Sequence, residues 1–184
     1  MNNIPFDEEK AIAAVLYIVK KLGGKVDMYK LAKILYFADQ KHLVTYGRTI
    51  VGDEYAPMEF GPVPSTIYDA VKTINNPKTK YRLFSEKLTL SSANGYRSIL
   101  STAEPDMDEL SQSDITCLDD SITENGRLDF KTLCKKSHKL AWTNAAEKGL
   151  SRLQIEDIAK EAGASDDFIA YIKECISDYH FALA

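Results

Sequence analysis

GDEYAPMEFGPVPSTIYD, residues 52–69, interrupts the helical pattern of the chain and decides how its first helices are connected. The stretch contains three of the six prolines, Pro57, Pro62 and Pro64. Proline lacks a backbone N–H and clashes with the preceding helical turn, so no continuous helix passes through it. We therefore predict extended pieces joined by turns, with Pro64 at the first turn of the next helix.

Two helices are predicted before this stretch. The first covers residues 7–22, because Asp7 can cap its start and apolar residues recur at helical spacing. The second begins after another capping residue, Asp27, and reaches Tyr46, where Gly47 ends it. The apolar face of this second helix consists of Leu31, Ile34, Leu35 and Ala38.

The chain after the proline-rich stretch is predicted to be helical, with one β element. Residues 65–74 form the third helix, and the pattern changes between Tyr81 and Thr102. There Asn94-Gly95 separates two short runs rich in β-forming residues, which favours a hairpin with a type I′ turn. Further helices are predicted at about 113–124 (capped by Ser111 or Ser113), 129–138 and 140–147, and on either side of Gly163.

The predicted fold class is mainly α: a single compact helical domain of residues 1–184 with a small antiparallel β-hairpin element. A chain of 184 residues buries about 70% of its unfolded surface and needs no metal or disulfide to fold. No apolar run approaches the roughly 20 residues of a membrane span, and the N-terminus lacks a secretory pattern. Three cysteines without CxxC spacing predict a reducing, cytoplasmic environment.

The net charge of −4 disfavours a protein that coats nucleic acid through phosphate contacts. One segment, IEDIAKEAGASDDFIAYI, has the helix, glycine turn and helix order of a DNA-binding helix-turn-helix. Its second helix begins with Asp166 and Asp167, whose charges phosphates would repel. A nucleic-acid-binding regulator that uses this C-terminal helical pair is therefore an alternative function, and a packed helical pair is the favoured interpretation.

A metal-dependent enzyme is the second alternative. Asp39 and His42 share one face of the second helix and could meet Asp53, Glu54 and His138 around a metal ion. The chain has no HExxH motif, no Cys/His cluster and no GxSxG elbow. We accordingly predict no catalytic residue, no metal and no cofactor.

Several short motifs follow one another in an order seen in a known family. KLAKILYFAD at 30–39 is followed by His42-Leu43, Gly47-Arg48, and GDEY and GPVPSTIYD in the proline-rich stretch. The helix start Leu110–Asp114, Ser137-His138, Ala141-Trp142 and the acidic segment Ile155–Gly163 come later. This ordered set resembles the Panacea domain, the SocA-like antitoxin family, over almost the whole chain.

The resemblance implies an antitoxin of a bacterial toxin–antitoxin pair, found also in prophages. Such domains neutralise a cognate protein toxin by direct binding, and at least one relative acts as an adaptor that delivers its toxin to a host protease. Some members carry an additional DNA-binding module. No convincing module of that kind is present here, which argues against transcriptional autoregulation by this chain.

The residues expected to contact the toxin lie in the 48–64 segment and at the Asp39/His42 end of the second helix, where rigid aromatic side chains suit recognition. The competing interpretation is that they only lock helices together. The expected toxin-contacting residues are Asp39, His42, Arg48, Asp53, Glu54, Tyr55, Met58 and Phe60. The residues expected to shape the motif are Gly61, Pro62, Pro64, Tyr68, His138 and Trp142, with core packing favoured for the tryptophan.

Overall fold

The computed structural model describes residues 6–93 and 96–182, and these confirm the mainly α fold class. Local capping explains where the first two helices begin. The Asp7 side chain accepts the Lys10 N–H, and Asp27 accepts the N–H groups of Tyr29 and Lys30. The helices are α1 (Glu8–Lys21), α2 (Met28–Tyr46), α3 (Ser65–Lys72), α4 (Arg82–Lys87), α5 (Gln112–Asn125), α6 (Phe130–Ser137), α7 (Leu140–Glu147), α8 (Ile155–Glu161) and α9 (Asp166–Ala182).

Most predicted helices lie within two residues of their expected bounds. The short helix α4 was not predicted, because the sequence from Tyr81 onward was assigned to the β element. It is held by Phe84, which is buried in the core. None of the helices in the described ranges is both long and apolar enough to cross a membrane.

Within the described ranges, five short strands form two separate antiparallel sheets. The predicted hairpin is present, and an unpredicted third strand adds to its edge, giving the strand order β1-β5-β4. The Asn94-Gly95 turn lies outside the described residues. The strands are β1 (Lys25–Asp27), β2 (Tyr55–Met58), β3 (Gly61–Pro64), β4 (Thr89–Ala93) and β5 (Tyr96–Leu100).

The extended pieces predicted in the proline-rich stretch pair with each other as the hairpin β2–β3. Tyr55 lies opposite Pro64, and Met58 lies opposite Gly61. Pro57 faces Pro62 across this hairpin, and neither residue has an N–H to donate to its partner. The pairing is therefore poor in backbone hydrogen bonds and depends on contacts from other elements.

Helix α2 lies between two hydrophobic cores. One of its faces packs with α1, α3, α4, α5 and the three-stranded sheet in the first core. The other face, with Tyr36, Phe37 and Leu43, packs with β2, α6, α7, α8 and α9 in the second core. The β2–β3 hairpin follows this central helix and contacts α2, α6 and α7.

Candidate functional site

Asp39 connects the middle of α2 to the segment that precedes the hairpin. Its side chain is buried, with Oδ1 accepting the Ile50 backbone N–H and Oδ2 accepting the Tyr55 hydroxyl, each at 2.7 Å. Burial raises the pKa of Asp39 to about 6, although both hydrogen bonds favour the ionised form. The carboxyl group thus fixes residues 50–55 against the helix.

His42 lies one turn further along α2 and is also fully buried. Its Nδ1 is 2.8 Å from the Arg48 carbonyl oxygen, and its Nε2 is 3.0 Å from Asp114 Oδ1 on α5. Asp114 also pairs with Lys10 of α1 at 2.7 Å. Burial opposes ionisation of Asp114, but hydrogen bonds from His42, Lys10 and Ser111 hold the pKa of its carboxyl well below the usual range.

Asp53 supplies the cap that the next helix lacks. Pro64, which directly precedes α3, has no side-chain acceptor for the first N–H groups of that helix. The buried Asp53 carboxylate accepts the N–H groups of Thr66 and Ile67, each at 2.9 Å. Burial raises the pKa of Asp53, and these donors oppose the change.

The expected toxin-contacting residues therefore fall into three groups, which are half-buried, exposed and buried. Arg48 and Glu54 are half-buried, and they form ion pairs with Asp114 and Arg152 respectively. Met58 and Phe60, at the tip of the hairpin, are 45% and 38% exposed. The other four have buried side chains that hold the segment in place: Asp39, His42, Asp53 and Tyr55.

Contacts from three helices hold the hairpin at both ends of its turn. Lys33 of α2 donates from Nζ to the Pro62 carbonyl at 2.8 Å, and Trp142 of α7 donates from its indole to the Met58 carbonyl at 2.9 Å. Gly61 has a φ of +97°, and a Cβ there would lie 2.5 Å from Ser137 Oγ. The hairpin thus approaches α2 and α6 so closely that only glycine fits.

We use the name hairpin face for four apolar side chains on the hairpin or next to Phe60 at its tip: Tyr29, Met58, Phe60 and Phe130. The ring centroid of Phe60 lies 5.8 Å from Tyr29 and 5.4 Å from Phe130, and Tyr29 and Phe130 are 5.5 Å apart. All three pairs are edge-on, the arrangement that aromatic rings prefer. Phe130 is 44% exposed, so this cluster is accessible from solvent.

The residues expected to shape the motif belong to β3, α3, the end of α6 and α7. Pro62 and Pro64 are buried, and Tyr68 is half-buried against the first core. The His138 and Trp142 rings stack with centroids 4.0 Å apart. Burial lowers the pKa of His138, the nearby Lys33 lowers it further, and Nε2 of His138 has no hydrogen-bond partner within the described ranges.

The structure also bears on the two alternative functions, a metal-dependent enzyme and a nucleic-acid-binding regulator. Among residues 6–93 and 96–182, no group of three or more His, Cys, Asp or Glu side chains could hold a metal ion. The two C-terminal helices of the helix-turn-helix pattern exist as α8 and α9. Asp166 and Asp167 are exposed in the first turn of α9, where a DNA-reading helix would meet phosphates.

Comparison with known proteins identifies the domain. A family model described as "Antitoxin SocA-like, Panacea domain" matches residues 31–143. The chain belongs to this family. The match runs from α2 into α7, so the Panacea domain model contains Asp39, the hairpin and Trp142. It does not include Ile155–Gly163, which the sequence resemblance had included. Neither the curated proteins nor the solved structures contain a significant match to the chain.

Sequence reasoning missed several residues that define this site in the Panacea domain. Asp114 was included only in the helix start Leu110–Asp114, where it forms a capping box with Ser111, and its pairing with His42 and Lys10 was not predicted. Lys33, Tyr29 and Phe130 had no distinguishing signal, because a lysine or ring on a helix is ordinarily a surface or core residue. Their relation to the hairpin depends on contacts between segments far apart in sequence.

Proposed function

We propose that this Panacea domain neutralises a cognate protein toxin by direct binding. Membership of the SocA-like antitoxin family supports a general antitoxin role, and such a role requires a toxin partner. We further propose that residues 1–184 act as one domain in the cytoplasm. The proposal assigns no catalytic residue and requires no cofactor.

The exposure of the hairpin face is the main support for placing the toxin contact there. Met58, Phe60 and Phe130 are each more than one-third exposed, although large apolar side chains are usually buried. Exposed apolar clusters of this kind mark interaction surfaces on soluble proteins. Rigid aromatic side chains also lose little conformational entropy when a partner binds.

The buried polar residues are assigned a positioning role in this proposal. Asp39 and Asp53 fix the chain on either side of the hairpin, while Lys33 and Trp142 hold its carbonyl groups. A preformed binding surface costs less free energy to order upon association. Arg48 and Glu54 precede the hairpin in the chain, and toxin contact by these two residues stays a prediction.

Delivery of the bound toxin to a host protease is a compatible extension of the proposal. It rests only on the sequence resemblance to a family in which one member is such an adaptor. Degradation of the toxin in cells that contain this chain, and its persistence in cells lacking the protease, would support adaptor activity. Neutralisation by binding alone would leave the toxin level unchanged.

The antitoxin role is tested by co-expression. Each neighbouring reading frame is induced alone and then together with this chain, and any toxic product is recovered by affinity pulldown. We expect one neighbour that arrests growth alone, is neutralised by this chain and co-purifies with it. If no neighbour is toxic and nothing co-purifies, the antitoxin proposal is wrong for this chain.

The contact site is tested by truncating Phe60. The Phe60→Ala variant removes an exposed ring, so we expect at least about tenfold weaker toxin binding. The free energy of unfolding should fall by less than about 1 kcal/mol, because the ring is only partly buried. Titration calorimetry with the purified toxin and urea unfolding measure these two quantities.

Met107→Ala provides the matched control for this variant. Met107 is 43% exposed, similar to Met58 and Phe60, but belongs to a 3-10 turn that packs on α1. Its truncation should leave toxin binding unchanged. Equal affinities for Phe60→Ala and the unsubstituted chain would show that the hairpin face is not the contact site.

A further inference from the structure

A cavity of about 340 Å³ lies beside the hairpin face, between α2 and α6. Its volume is within the range of roughly 300–1,000 Å³ that is typical of small-molecule sites. Apolar side chains provide most of the accessible wall area, and polar side chains lie between them, a combination typical of such sites. The apolar lining residues are Tyr29, Leu128, Phe130 and Leu133, and the polar ones are Asp27, Lys30, Lys33, Ser98, Asp129 and Cys134.

Lys33 is an unusual component of this wall because it is a buried cation without a counter-ion. Its side chain is 1% exposed, and its only hydrogen bond in the described ranges is to the Pro62 carbonyl. No carboxylate among residues 6–93 and 96–182 lies within ion-pairing distance of its Nζ. Burying an unpaired ammonium group is costly, and burial lowers the pKa of Lys33 to about 8.

The other charged groups of the cavity already have partners and are more exposed. Asp27 and Asp129 accept backbone N–H groups as the caps of α2 and α6. Lys30 donates to the Gly126 carbonyl at 2.8 Å. Asp129 is exposed, and Asp27 and Lys30 are half-buried, so solvent screens their charges. The one deeply buried charge in the wall is therefore positive.

We propose that this cavity binds a small organic acid with an apolar body. The carboxylate of the ligand pairs with the Lys33 ammonium, and its body contacts Leu133 and Phe130. A charge-assisted hydrogen bond between these groups is stronger than one between neutral partners, and it supplies the missing counter-ion. The inference does not rest on toxin binding, since it concerns a ligand of the isolated chain, although Tyr29 and Phe130 belong both to the cavity wall and to the hairpin face.

The test compares phenylacetate with phenylacetamide, which has the same ring but no charge. Both are titrated into the full-length chain by calorimetry at neutral pH. We expect phenylacetate to bind at least about tenfold more tightly, because only the acid neutralises the lysine. Equal affinities, or no detectable binding of phenylacetate up to about 10 mM, would overturn the proposal.

Two variants test whether the preference for phenylacetate over phenylacetamide depends on Lys33. Lys33→Met keeps a long unbranched side chain but removes the charge, and the preference for the acid should fall to about one. Lys131→Met removes an exposed lysine of α6 that does not line the cavity, and it should keep the full preference. A preference that survives in Lys33→Met would locate the acid elsewhere and refute the site.

A measurement on the unsubstituted protein covers the case in which Lys33→Met does not fold. Lysine labelled with ¹³C at Cε reports the ionisation of each lysine by NMR. Bound phenylacetate should raise the pKa of Lys33 above its free value, because a nearby carboxylate favours the ammonium form. An unchanged Lys33 signal at saturating phenylacetate would refute the site, whereas toxin neutralisation would be unaffected by either result.

Discussion

At the scale of single residues, the molecule uses buried carboxylates to attach a proline-rich segment to its helices. Asp39, Asp53 and Asp114 all accept hydrogen bonds from other segments. Prolines 57, 62 and 64 cannot donate backbone hydrogen bonds, so side chains replace part of the missing ladder. The acidic residues of this segment are therefore primarily structural in the isolated chain.

The raised pKa of Asp39 makes a specific prediction about pH and stability. The Asp39 carboxyl binds a proton more tightly in the folded chain than in the unfolded chain, because its pKa rises from the ordinary 3.8 to about 6. The stabilisation from this proton is complete below the ordinary pKa and is lost as the pH rises through about 6. Each pKa unit corresponds to about 1.4 kcal/mol of free energy, so the rise of about two units contributes about 3 kcal/mol to the free energy of unfolding at low pH. This contribution is lost when Asp39 ionises.

Asp39→Asn removes this titration and provides the comparison. Urea unfolding of both proteins at several pH values gives the difference in their free energies of unfolding. The advantage of the unsubstituted chain over Asp39→Asn should shrink by about 2.4 kcal/mol from about pH 4 to about pH 7. Groups that do not interact with Asp39 cancel in this difference. A difference that is constant with pH would contradict the assignment.

At the scale of elements, the hairpin β2–β3 owes its position to the helices around it. Two facing prolines weaken its own pairing, while α2 and α7 donate to its carbonyl groups. Gly61 allows this approach, since its φ of +97° and the nearby Ser137 and Lys33 leave no room for a side chain. The exposed tip is therefore a rigid feature, which suits a preformed contact surface.

Two glycine substitutions test how closely the hairpin packs. Gly61→Ala adds a Cβ that would lie 2.5 Å from Ser137 Oγ and 2.9 Å from Lys33 Nζ. We expect the free energy of unfolding to fall by about 3 kcal/mol, from backbone strain and steric overlap together. Gly149→Ala also has a positive φ but meets nothing within 4 Å, so it should cost only about 1 kcal/mol. Equal losses in chemical denaturation would show that the packing around Gly61 is loose.

At the scale of the whole molecule, α2 joins two cores that would otherwise be separate. The first core contains α1, α3, α4 and α5, and the second contains α6, α7, α8 and α9. Each core includes side chains from opposite faces of α2, so loss of either one exposes apolar surface on the shared helix. This arrangement is the basis for proposing that the chain unfolds as one domain.

Two probes of unfolding test that proposal. Trp142, the only tryptophan, reports by fluorescence on the second core, and far-UV circular dichroism reports on all helices. We expect coincident urea transitions. Ile158→Ala in the second core and Leu118→Ala in the first should each cost about 2–5 kcal/mol and shift both probes equally. If Ile158→Ala moves only the fluorescence transition, the chain comprises two domains.

The sequence by itself determined the features that depend on neighbouring residues. The starts of α1 and α2 follow from Asp7 and Asp27, whose side chains bond to N–H groups two or three residues away. The end of α2 at Gly47 follows from the left-handed conformation that glycine adopts readily. Proline spacing likewise excluded a helix between residues 52 and 64, because its effect on the backbone is local.

Only the tertiary structure decided which side chains are available to a partner. Asp39 and His42 looked like surface residues, but Tyr55 and Asp114 bury them through contacts 16 and 72 positions away. Phe60 and Phe130 form one surface although 70 residues separate them, and Lys33 becomes a cavity residue through contacts with β3 and α6. Such pairings depend on how the helices pack, and no local pattern of residues encodes the packing of distant segments.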